Sequence, residues 1–304
     1  MILQSDSLLL RIDLDHGAEV IDLVDLRSGR QLLGRPPFAS RSPRAGDLDE
    51  ETWTASYRGG WQLLTPNAGS ACTVAGISHG FHGRASNDPW LLLEHGAAGA
   101  TLRWAGHGLT VERRFSVTDA TVHADVRWEA AERSPLLAVE HLALGIELLH
   151  PEVVIELPGG RAVEMAERGG PPRGAGDAPR WPELALLDGS RERGDRWPLT
   201  RPRSRLACVQ DVPEGTARVV NARTGAGVAL SWNHEQLPHV WIWHEVRTSG
   251  GPWRGMTEML VIEPASVPHH RGLETAIAEG QAAWAEPGLP FSYRFSITVL
   301  PGDG

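Results

Sequence analysis

The stretch GGWQLLTPNAGSACTVAGISHGFHGRASNDPW, residues 59–90, decides how the rest of the chain is interpreted. It holds six glycines and two prolines, too many for a helix with a packed face. We therefore expect a loop-rich segment whose backbone takes unusual angles and approaches its surroundings closely. His79 and His82 stand near the aromatic residues Phe81 and Trp90. Proton-exchanging groups beside flat aromatic faces suit a small polar ligand with apolar faces, such as a sugar.

Short runs in which apolar and polar residues alternate flank this stretch on both sides. We expect strands at 7–14, 18–24, 90–94, 100–104, 109–117, 121–128, 136–149, 217–220, 227–232, 239–243, 256–263 and 291–299. Glycine-containing turns separate several of them, for instance Gly106-His107-Gly108. Many short strands at close spacing predict a mainly β fold, a large antiparallel sandwich of two packed sheets with few short helices.

Three further segments complete the predicted organisation. Residues 272–284 (GLETAIAEGQAAW) place apolar residues on one face and are the best candidate for a helix. Residues 34–50 and 158–180 are rich in glycine, proline and charge, so we expect loops there, the second of them a mobile lid. Neither a repeat nor a shift in composition divides the chain, and a single domain is predicted over residues 1–304.

The composition restricts the possible function. The 304 residues are 41% hydrophobic and 22% charged, which is typical of a globular protein with an ample core. A formal net charge of -9 argues against binding to nucleic acid or to an anionic membrane surface. All 29 residues in the lysine and arginine count are arginine, so covalent catalysis by a lysine Schiff base is excluded.

Targeting and cysteine patterns together predict a cytoplasmic protein. The amino-terminal residues lack the basic start and the long apolar run of a signal peptide. Apolar runs stay well short of the roughly 18 residues that a membrane span needs. The two cysteines, Cys72 and Cys208, are far apart and form no C-x-x-C motif, so a disulfide framework is not expected.

Several short motifs follow one another along the chain in a definite order. The segment 15–20 (DHGAEV) precedes 82–90 (HGRASNDPW), and two long strands then lead to His141. Glu263-Pro264 comes late, and Pro287-Gly288 stands before the last strand. In this order and spacing the chain resembles the aldose 1-epimerase (galactose mutarotase) family, whose fold is a large two-sheet β-sandwich. The resemblance covers nearly the whole chain.

The resemblance implies an isomerase that interconverts the α and β anomers of a sugar or sugar phosphate. In this chemistry a base takes the proton of the C1 hydroxyl while an acid protonates the ring oxygen, so that the ring opens and then recloses on its other face. By resemblance, Glu263 is the base, His141 is the acid, and His82 holds the sugar near its ring oxygen. Neither metal nor nucleotide is needed, so we expect no cofactor, and the expected partner is a small carbohydrate.

The residues themselves also permit simpler interpretations. Glu263 follows an apolar run, where burial would raise its pKa, but it could equally face outward from a strand. His141 could be a buried histidine bonded to backbone, and His79 competes with His82 for the sugar. If the catalytic roles hold, the carboxylate of Glu263 and the imidazole of His141 should face each other across a cleft, about 5–8 Å apart.

Further residues are predicted to contact the substrate. Tryptophan rings stack on the C–H faces of sugars, and arginines would bind a phosphate. The substrate-binding candidates are His79, Arg84, Asn67, Trp90, Trp243 and His239, with Arg247 and Arg254 as further phosphate contacts. An arginine that commonly follows the family's Pro-Asn turn is missing after Asn67, and Asp195 is the candidate for its hydroxyl-binding aspartate.

Two other classes of function stay open. A non-catalytic sugar-binding or sensing protein on the same fold would keep the tryptophans and would not need Glu263. A metal-dependent isomerase or hydrolase would use His79, His82, His239, His244 and Glu263, although the sequence lacks the i, i+4 histidine pair of a zinc-binding helix. Assays of turnover and of metal content would separate these two classes from an epimerase.

Overall fold

The computed structural model describes residues 1–37, 45–149, 152–166, 178–197 and 201–302, and β-strands dominate this part of the chain. The strands of the first half are β1 (Ile2–Gln4), β2 (Leu8–Asp13), β3 (Glu19–Asp25), β4 (Arg30–Gln31), β5 (Trp61–Leu64), β6 (Cys72–Val74), β7 (Ile77–His79), β8 (Leu91–His95), β9 (Gly99–Gly106), β10 (Leu109–Thr118), β11 (Thr121–Ala130), β12 (Ser134–Leu136) and β13 (Val139–Leu144). Those of the second half are β14 (Val153–Glu156), β15 (Arg161–Glu164), β16 (Glu183–Ala185), β17 (Arg191–Arg193), β18 (Arg196–Trp197), β19 (Arg203–Gln210), β20 (Thr216–Asn221), β21 (Gly227–Trp232), β22 (His239–Val246), β23 (Glu258–Ala265), β24 (Ala283–Ala285) and β25 (Phe291–Leu300).

Most of these strands belong to two large sheets. The first has 12 strands in the order β1-β2-β3-β5-β13-β23-β22-β19-β15-β16-β17, with β4 beside β3. The second has nine strands in the order β18-β14-β20-β21-β25-β11-β10-β9-β8. The long neighbouring strands pair antiparallel, whereas β15 and β16 run parallel. The prediction of a mainly β, antiparallel two-sheet sandwich is confirmed.

The two sheets pack against each other through a large apolar cluster that also contains a buried ionic network. Trp61 of β5 meets Phe115 of β10 edge to face, with ring centroids 5.5 Å apart. Glu140 of β13 is fully buried and accepts hydrogen bonds from Trp61 and Arg113 at 2.6 Å and from Tyr293 at 2.8 Å. Because an unpaired buried carboxylate is costly, these three donors fix Glu140 on the inner face of the first sheet.

Helix is confined to short pieces in the described residues. They are α1 (Glu50–Ser56), α2 (Ile146–Leu149), α3 (Leu273–Ala278) and a 3₁₀ turn (Arg84–Ser86). The prediction of one helix over 272–284 is wrong in its length. α3 ends at Ala278 because Gly280 takes a left-handed backbone angle, φ 69°, and Trp284 then lies in β24 instead.

Each of the two predicted loops contains residues that the structure places in a helix or a strand. Residues 34–50 reach the first residue of α1, and their part at 38–44 lies outside the described residues. The prediction of a loop over 158–180 is wrong in part, because Arg161–Glu164 form β15, whose backbone pairs with β19. The predicted mobile lid falls mainly on 167–177, which lie outside the described residues.

Two further expectations concern the chain as a whole. The single domain over residues 1–304 stays a prediction, although the apolar cluster between the sheets draws on strands from both ends of the chain. Among the helices that the structure describes, none has the length and apolar character needed to cross a membrane.

Candidate functional site

The outer face of the first sheet carries a row of side chains across four adjacent strands. Glu140 points into the core, so the next residue, His141, points to the opposite face of β13. The register pairs His141 with Gln62 of β5, and Glu263 of β23 with Trp241 of β22. Because β5, β13, β23 and β22 are neighbours in the sheet, these four side chains stand side by side on one face.

His141 and Glu263 form the centre of this row. Nε2 of His141 lies 3.9 Å from Oε2 of Glu263, and each residue is only 2% exposed. Burial raises the pKa of Glu263 to about 8. Burial lowers the pKa of His141 to about 3, against a smaller opposite effect of its own backbone carbonyl. Both shifts favour the uncharged forms, a protonated carboxyl beside a neutral imidazole.

The predicted geometry of this pair needs one correction. The expected separation of about 5–8 Å is wrong, since the nearest atoms are 3.9 Å apart. The reason is that β13 and β23 are adjacent strands, which run about 4.8 Å apart, so the two groups flank each other instead of facing across a cleft. The roles of base for Glu263 and acid for His141 stay predictions, although burial raises the pKa of Glu263 and lowers that of His141.

His82 reaches this row from the loop-rich stretch. Its ring centroid lies 5.9 Å from that of His141, and its backbone has φ 62°, a left-handed angle that is rare for histidine. Two reciprocal hydrogen bonds hold it there: His82 N–H donates to Gly69 O, and Gly69 N–H donates to His82 Nδ1, both at 3.0 Å. Because Nδ1 accepts, the proton of the neutral ring is on Nε2. Burial keeps the pKa of His82 well below its usual value.

A third histidine, His270, also belongs to the site and was missed by the sequence analysis. Its ring lies edge-on to Trp241 with centroids 6.4 Å apart, and its charge would lower the pKa of His82. Gly69 allows this proximity, because a Cβ at Gly69 would lie 1.9 Å from the carbonyl oxygen of His270. The available signal was the pair His269-His270 only a few residues after Glu263.

An aromatic cover closes the site from outside. We use this term for Trp53, Tyr57, Phe81, Trp243 and Trp253. The Trp53 ring lies 4.4 Å from His82 and 5.9 Å from His141, and the Tyr57 ring lies 5.4 Å from His141. Trp53 and Tyr57 are both buried and stack on each other at 4.9 Å. The cover explains why Glu263, His141 and His82 are so little exposed.

Helix α1 supplies the central part of this cover, and the sequence analysis missed it too. Asp49 caps the helix by accepting a hydrogen bond from Thr52 N–H at 2.7 Å, and Glu50 and Glu51 favour its first turn. Trp53 and Tyr57, four residues apart, therefore point the same way. A seven-residue helix is not stable alone, so its aromatic contacts hold it over the site. The signal in the sequence was the capping residue Asp49 followed by two aromatic residues at helical spacing, Trp53 and Tyr57.

Solved structures of other proteins share this architecture. Slr1438 protein from Synechocystis sp. PCC 6803 matches with a TM-score of 0.70 and 18% identity over 98% of this chain and 94% of that chain. A protein of Escherichia coli K12 named "putative aldose 1-epimerase" matches with a TM-score of 0.70 and 17% identity over 98% of each chain. A galactose mutarotase related enzyme from Lactobacillus acidophilus matches with a TM-score of 0.68 and 13% identity, over 100% and 98%. The chain has the galactose mutarotase-like fold.

Sequence comparison adds nothing to this structural likeness. No family model matches the chain, and no curated protein matches it either. At the identities of 13% to 18% of the structures above, the likeness establishes the fold and leaves the activity to be argued from the site.

Within this galactose mutarotase-like fold, Asn67 is structural, and its predicted role in substrate binding is corrected. Its side-chain NH₂ donates to the carbonyls of Ser70 and Gly80 at 2.9 and 2.8 Å. Its side-chain oxygen accepts from Leu273 N–H at 2.7 Å and from the Cys72 thiol at 3.7 Å. Asn67 is fully buried, so it ties the loop-rich stretch to the start of α3 and has no group left for a sugar.

Three other predicted contacts also lie away from the row of site residues. Trp90 packs into the core between the sheets, and its indole N–H donates to a backbone carbonyl at 2.8 Å. Arg84 is exposed and its Nε donates to Asp88 at 2.7 Å. The His79 ring meets His107, with centroids 4.7 Å apart. These corrections share one cause: the backbone turns at positive φ between His79 and the 3₁₀ turn, so the side chains of this stretch diverge.

Of the two remaining substrate candidates, Trp243 borders the site. Its ring centroid lies 6.3 Å from that of His141, and its indole N–H donates to Ser204 Oγ at 3.0 Å. His239 stands at the other end of β22, where its Nδ1 accepts from Asp211 N–H at 3.1 Å. That bond uses one of the two ring nitrogens, and a sugar contact by His239 stays a prediction.

The further charged candidates are paired with neighbours. Arg247 contacts Glu258 at 3.1 Å. Asp195 accepts two hydrogen bonds from Arg193, one on each carboxylate oxygen and one of them at 2.9 Å. Its role as the aspartate that binds sugar hydroxyls stays a prediction.

The donors of the metal hypothesis are dispersed. His244 is fully buried beside Arg205 on the core side of β22, while His79 and His239 lie at the separate places described above. Among the residues that the structure describes, no three histidine, cysteine, aspartate or glutamate side chains are arranged to hold a metal ion. The geometry therefore gives this hypothesis no support.

The Asn67 network predicts a large loss of stability. Replacing Asn67 by Ala should lower the free energy of unfolding by about 3 kcal/mol or more, because two backbone carbonyls and one N–H lose buried partners. Urea unfolding followed by tryptophan fluorescence measures this. The control is Asn233→Ala, an exposed position where one N–H from Arg294 can turn to water, with an expected loss below about 1 kcal/mol. Equal losses in the two variants would contradict the structural role of Asn67.

Proposed function

We propose that the protein is an aldose 1-epimerase that interconverts the α and β anomers of an uncharged sugar. The observation that supports this most is the buried pair of His141 and Glu263, with His82 beside it, on the outer face of a galactose mutarotase-like fold. A cytoplasmic location, expected from the sequence, is part of the proposal.

The protonation of the pair fits the needs of the reaction. Anomer interconversion requires one proton donor and one proton acceptor, and each complete cycle must restore both. With pKa values of about 8 for Glu263 and about 3 for His141, the pair holds a single exchangeable proton over the whole interval between them. The neutral arrangement, a protonated Glu263 beside an uncharged His141, is preferred because burial penalises both charged forms.

This arrangement gives a balanced sequence of steps. Glu263 donates its proton to the ring oxygen while Nε2 of His141 takes the proton of the C1 hydroxyl, and the bond between C1 and the ring oxygen breaks. Rotation about C1–C2 then presents the other face of the carbonyl. As the ring recloses, His141 returns its proton to the carbonyl oxygen and Glu263 takes the proton of the attacking hydroxyl. Both oxygens meet at C1 on closure, so two groups on adjacent strands can serve them from the same side.

The electrostatics of the site favour a sugar without phosphate or carboxylate. Burial alone raises the pKa of Glu263, with no cation opposing it. Among the described residues, no arginine contributes to the pKa shifts of His141, His82 or Tyr57 either. A buried phosphate would need such a cation, so the expected phosphate contacts through Arg84 or other arginines are not part of this proposal.

A sugar also needs space that the aromatic cover occupies. With the nearest atoms of His141 and Glu263 only 3.9 Å apart beneath Trp53 and Tyr57, a pyranose ring enters when α1 or its aromatic side chains move outward. Trp241 and Trp243 then remain as apolar walls against which the C–H face of the sugar can stack.

An NMR exchange screen tests the proposal. Exchange spectroscopy measures the interconversion of the anomeric proton signals of neutral aldoses and of their 6-phosphates, with and without protein. We expect acceleration for at least one neutral aldose, and at least tenfold weaker acceleration for its 6-phosphate. If all sugars exchange at the buffer rate, the epimerase proposal fails. If the phosphate is the better substrate, the epimerase survives and the preference for an uncharged sugar fails.

A sugar-binding protein without turnover remains the second candidate, because the covered 3.9 Å pair would also suit a site that only senses a ligand. Saturation-transfer NMR on the same samples distinguishes the two. Binding of an aldose without faster exchange between its anomers would favour the sensing function.

A further inference from the structure

The two ring nitrogens of His141 face different partners. Nε2 lies 3.9 Å from Oε2 of Glu263, and Nδ1 lies 3.4 Å from the hydroxyl oxygen of Tyr57. The rings of Tyr57 and His141 are nearly perpendicular, at 85°, and both residues are 2% exposed. A neutral imidazole carries one proton, so these two contacts decide which nitrogen holds it.

We propose that Tyr57 is a positioning residue that accepts a hydrogen bond from Nδ1–H of His141 and so keeps Nε2 unprotonated and aimed at Glu263. This inference rests on the proposed function for its catalytic meaning, since Nε2 is the atom that takes the proton of the C1 hydroxyl. With the opposite tautomer, Nε2 would already carry a proton and could not take that of the C1 hydroxyl.

The surroundings of Tyr57 agree with this assignment. Burial, together with the charges of Glu263 and Glu19, raises the pKa of Tyr57 well above its usual value, so the phenol stays neutral and its oxygen keeps a lone pair for His141. Tyr57 also ends helix α1, with its backbone N–H bonded to Thr54 O. The oxygen that orients His141 therefore belongs to the segment that covers the site.

The test is a measurement of the tautomer of His141 itself. Two-bond ¹H–¹⁵N correlation spectra of uniformly ¹⁵N-labelled protein distinguish Nδ1–H from Nε2–H, and a His141→Asn variant assigns the signal among the 13 histidines. We expect Nδ1–H in the wild type and a shift toward Nε2–H in Tyr57→Phe, which keeps the ring packing and removes the oxygen. Turnover of the sugar should fall at least tenfold in Tyr57→Phe, with little change in sugar affinity.

The chain offers one matched control. Tyr293→Phe removes the hydroxyl of its only other tyrosine, which donates to Glu140 at 2.8 Å on the opposite face of β13. If the inference is right, this variant leaves the His141 signal unchanged, even where it lowers stability. An Nε2–H tautomer in the wild type, or an unchanged tautomer in Tyr57→Phe, would overturn the role of Tyr57. Because this readout needs no sugar, its failure is distinguishable from a failure of the epimerase proposal.

Discussion

Replacing Glu263 by Gln should lower the rate of anomer interconversion by roughly 10²-fold or more, the usual scale for losing a general acid or base. The amide has nearly the same shape but cannot donate and recover a proton, so sugar affinity should stay close to that of the wild type. NMR exchange rates at saturating sugar measure the first quantity, and quenching of tryptophan fluorescence on titration measures the second. A loss below about threefold would mean that Glu263 is not the proton donor.

The same variant has a matched control and an independent readout. Glu245→Gln changes another buried glutamate on the neighbouring strand β22, bonded to Thr248, and should alter turnover by less than about twofold.

The stability of Glu263→Gln supplies the second readout. The folded pKa of Glu263, about 8, lies above the unfolded value, so the folded state of the wild type loses stability as pH rises through that window. From pH 5 to pH 9, Glu263→Gln should therefore gain about 4 kcal/mol relative to the wild type.

Acidification should unfold the protein between about pH 6.5 and pH 4. The affected side chains are buried histidines whose pKa burial lowers: His79, His82, His141, His239, His244 and His269. Each has a folded pKa below its unfolded value, so its contribution is present above pH 6.5 and is lost as pH falls. Glu19 and Glu263, with raised pKa values of about 7 and 8, act in the opposite sense. The histidines outnumber them, and stability should fall by about 3–5 kcal/mol per pH unit.

Urea unfolding at pH 7.5, 6.5 and 5.5 and at constant ionic strength measures this slope. His244→Gln serves as the comparison, because His244 is fully buried, lies outside the candidate site and contacts Arg205 through a nitrogen that an amide can replace. The free energy of unfolding of this variant should depend on pH less steeply than that of the wild type, by about 1.4 kcal/mol per pH unit, the value for one proton. Unfolding midpoints that stay constant from pH 7.5 to 5.5 would show that these histidines are not buried neutral.

The fold was predictable because its signals are local and repeated. A strand with one buried face alternates residue by residue, and such alternation marked β10, β11 and β25 well. The helix predicted over 272–284 was too long because a single residue ended it. The left-handed backbone angle of Gly280 stops the helix even though the apolar pattern continues. The strand β15 was missed because its four residues are held by β19, which is remote in sequence.

The candidate site was predictable only in part, for a physical reason. His141 and Glu263 lie on strands whose direction of side chains follows from alternation, so the motifs led to the correct face. Asn67 and Trp90 lie in a loop-rich stretch, whose backbone angles no periodic pattern encodes. These angles direct the side chain of Asn67 toward the start of α3 and bury Trp90 in the core. Tyr57 stayed hidden because its importance arises from a contact with a residue 84 positions away.

The aromatic cover has a consequence for how affinity and speed are related. A site that binds only when part of the aromatic cover has moved outward has an apparent dissociation constant equal to the intrinsic one divided by the open fraction. If the covered form outnumbers the open form by about 100 to 1, a sugar appears about 100-fold weaker in binding than the uncovered walls alone would make it. The contacts of Trp53 with His82 and of Tyr57 with His141, which are lost on opening, would thus restrict the proposed epimerase to sugars at high concentration. The same contacts would favour release of the product.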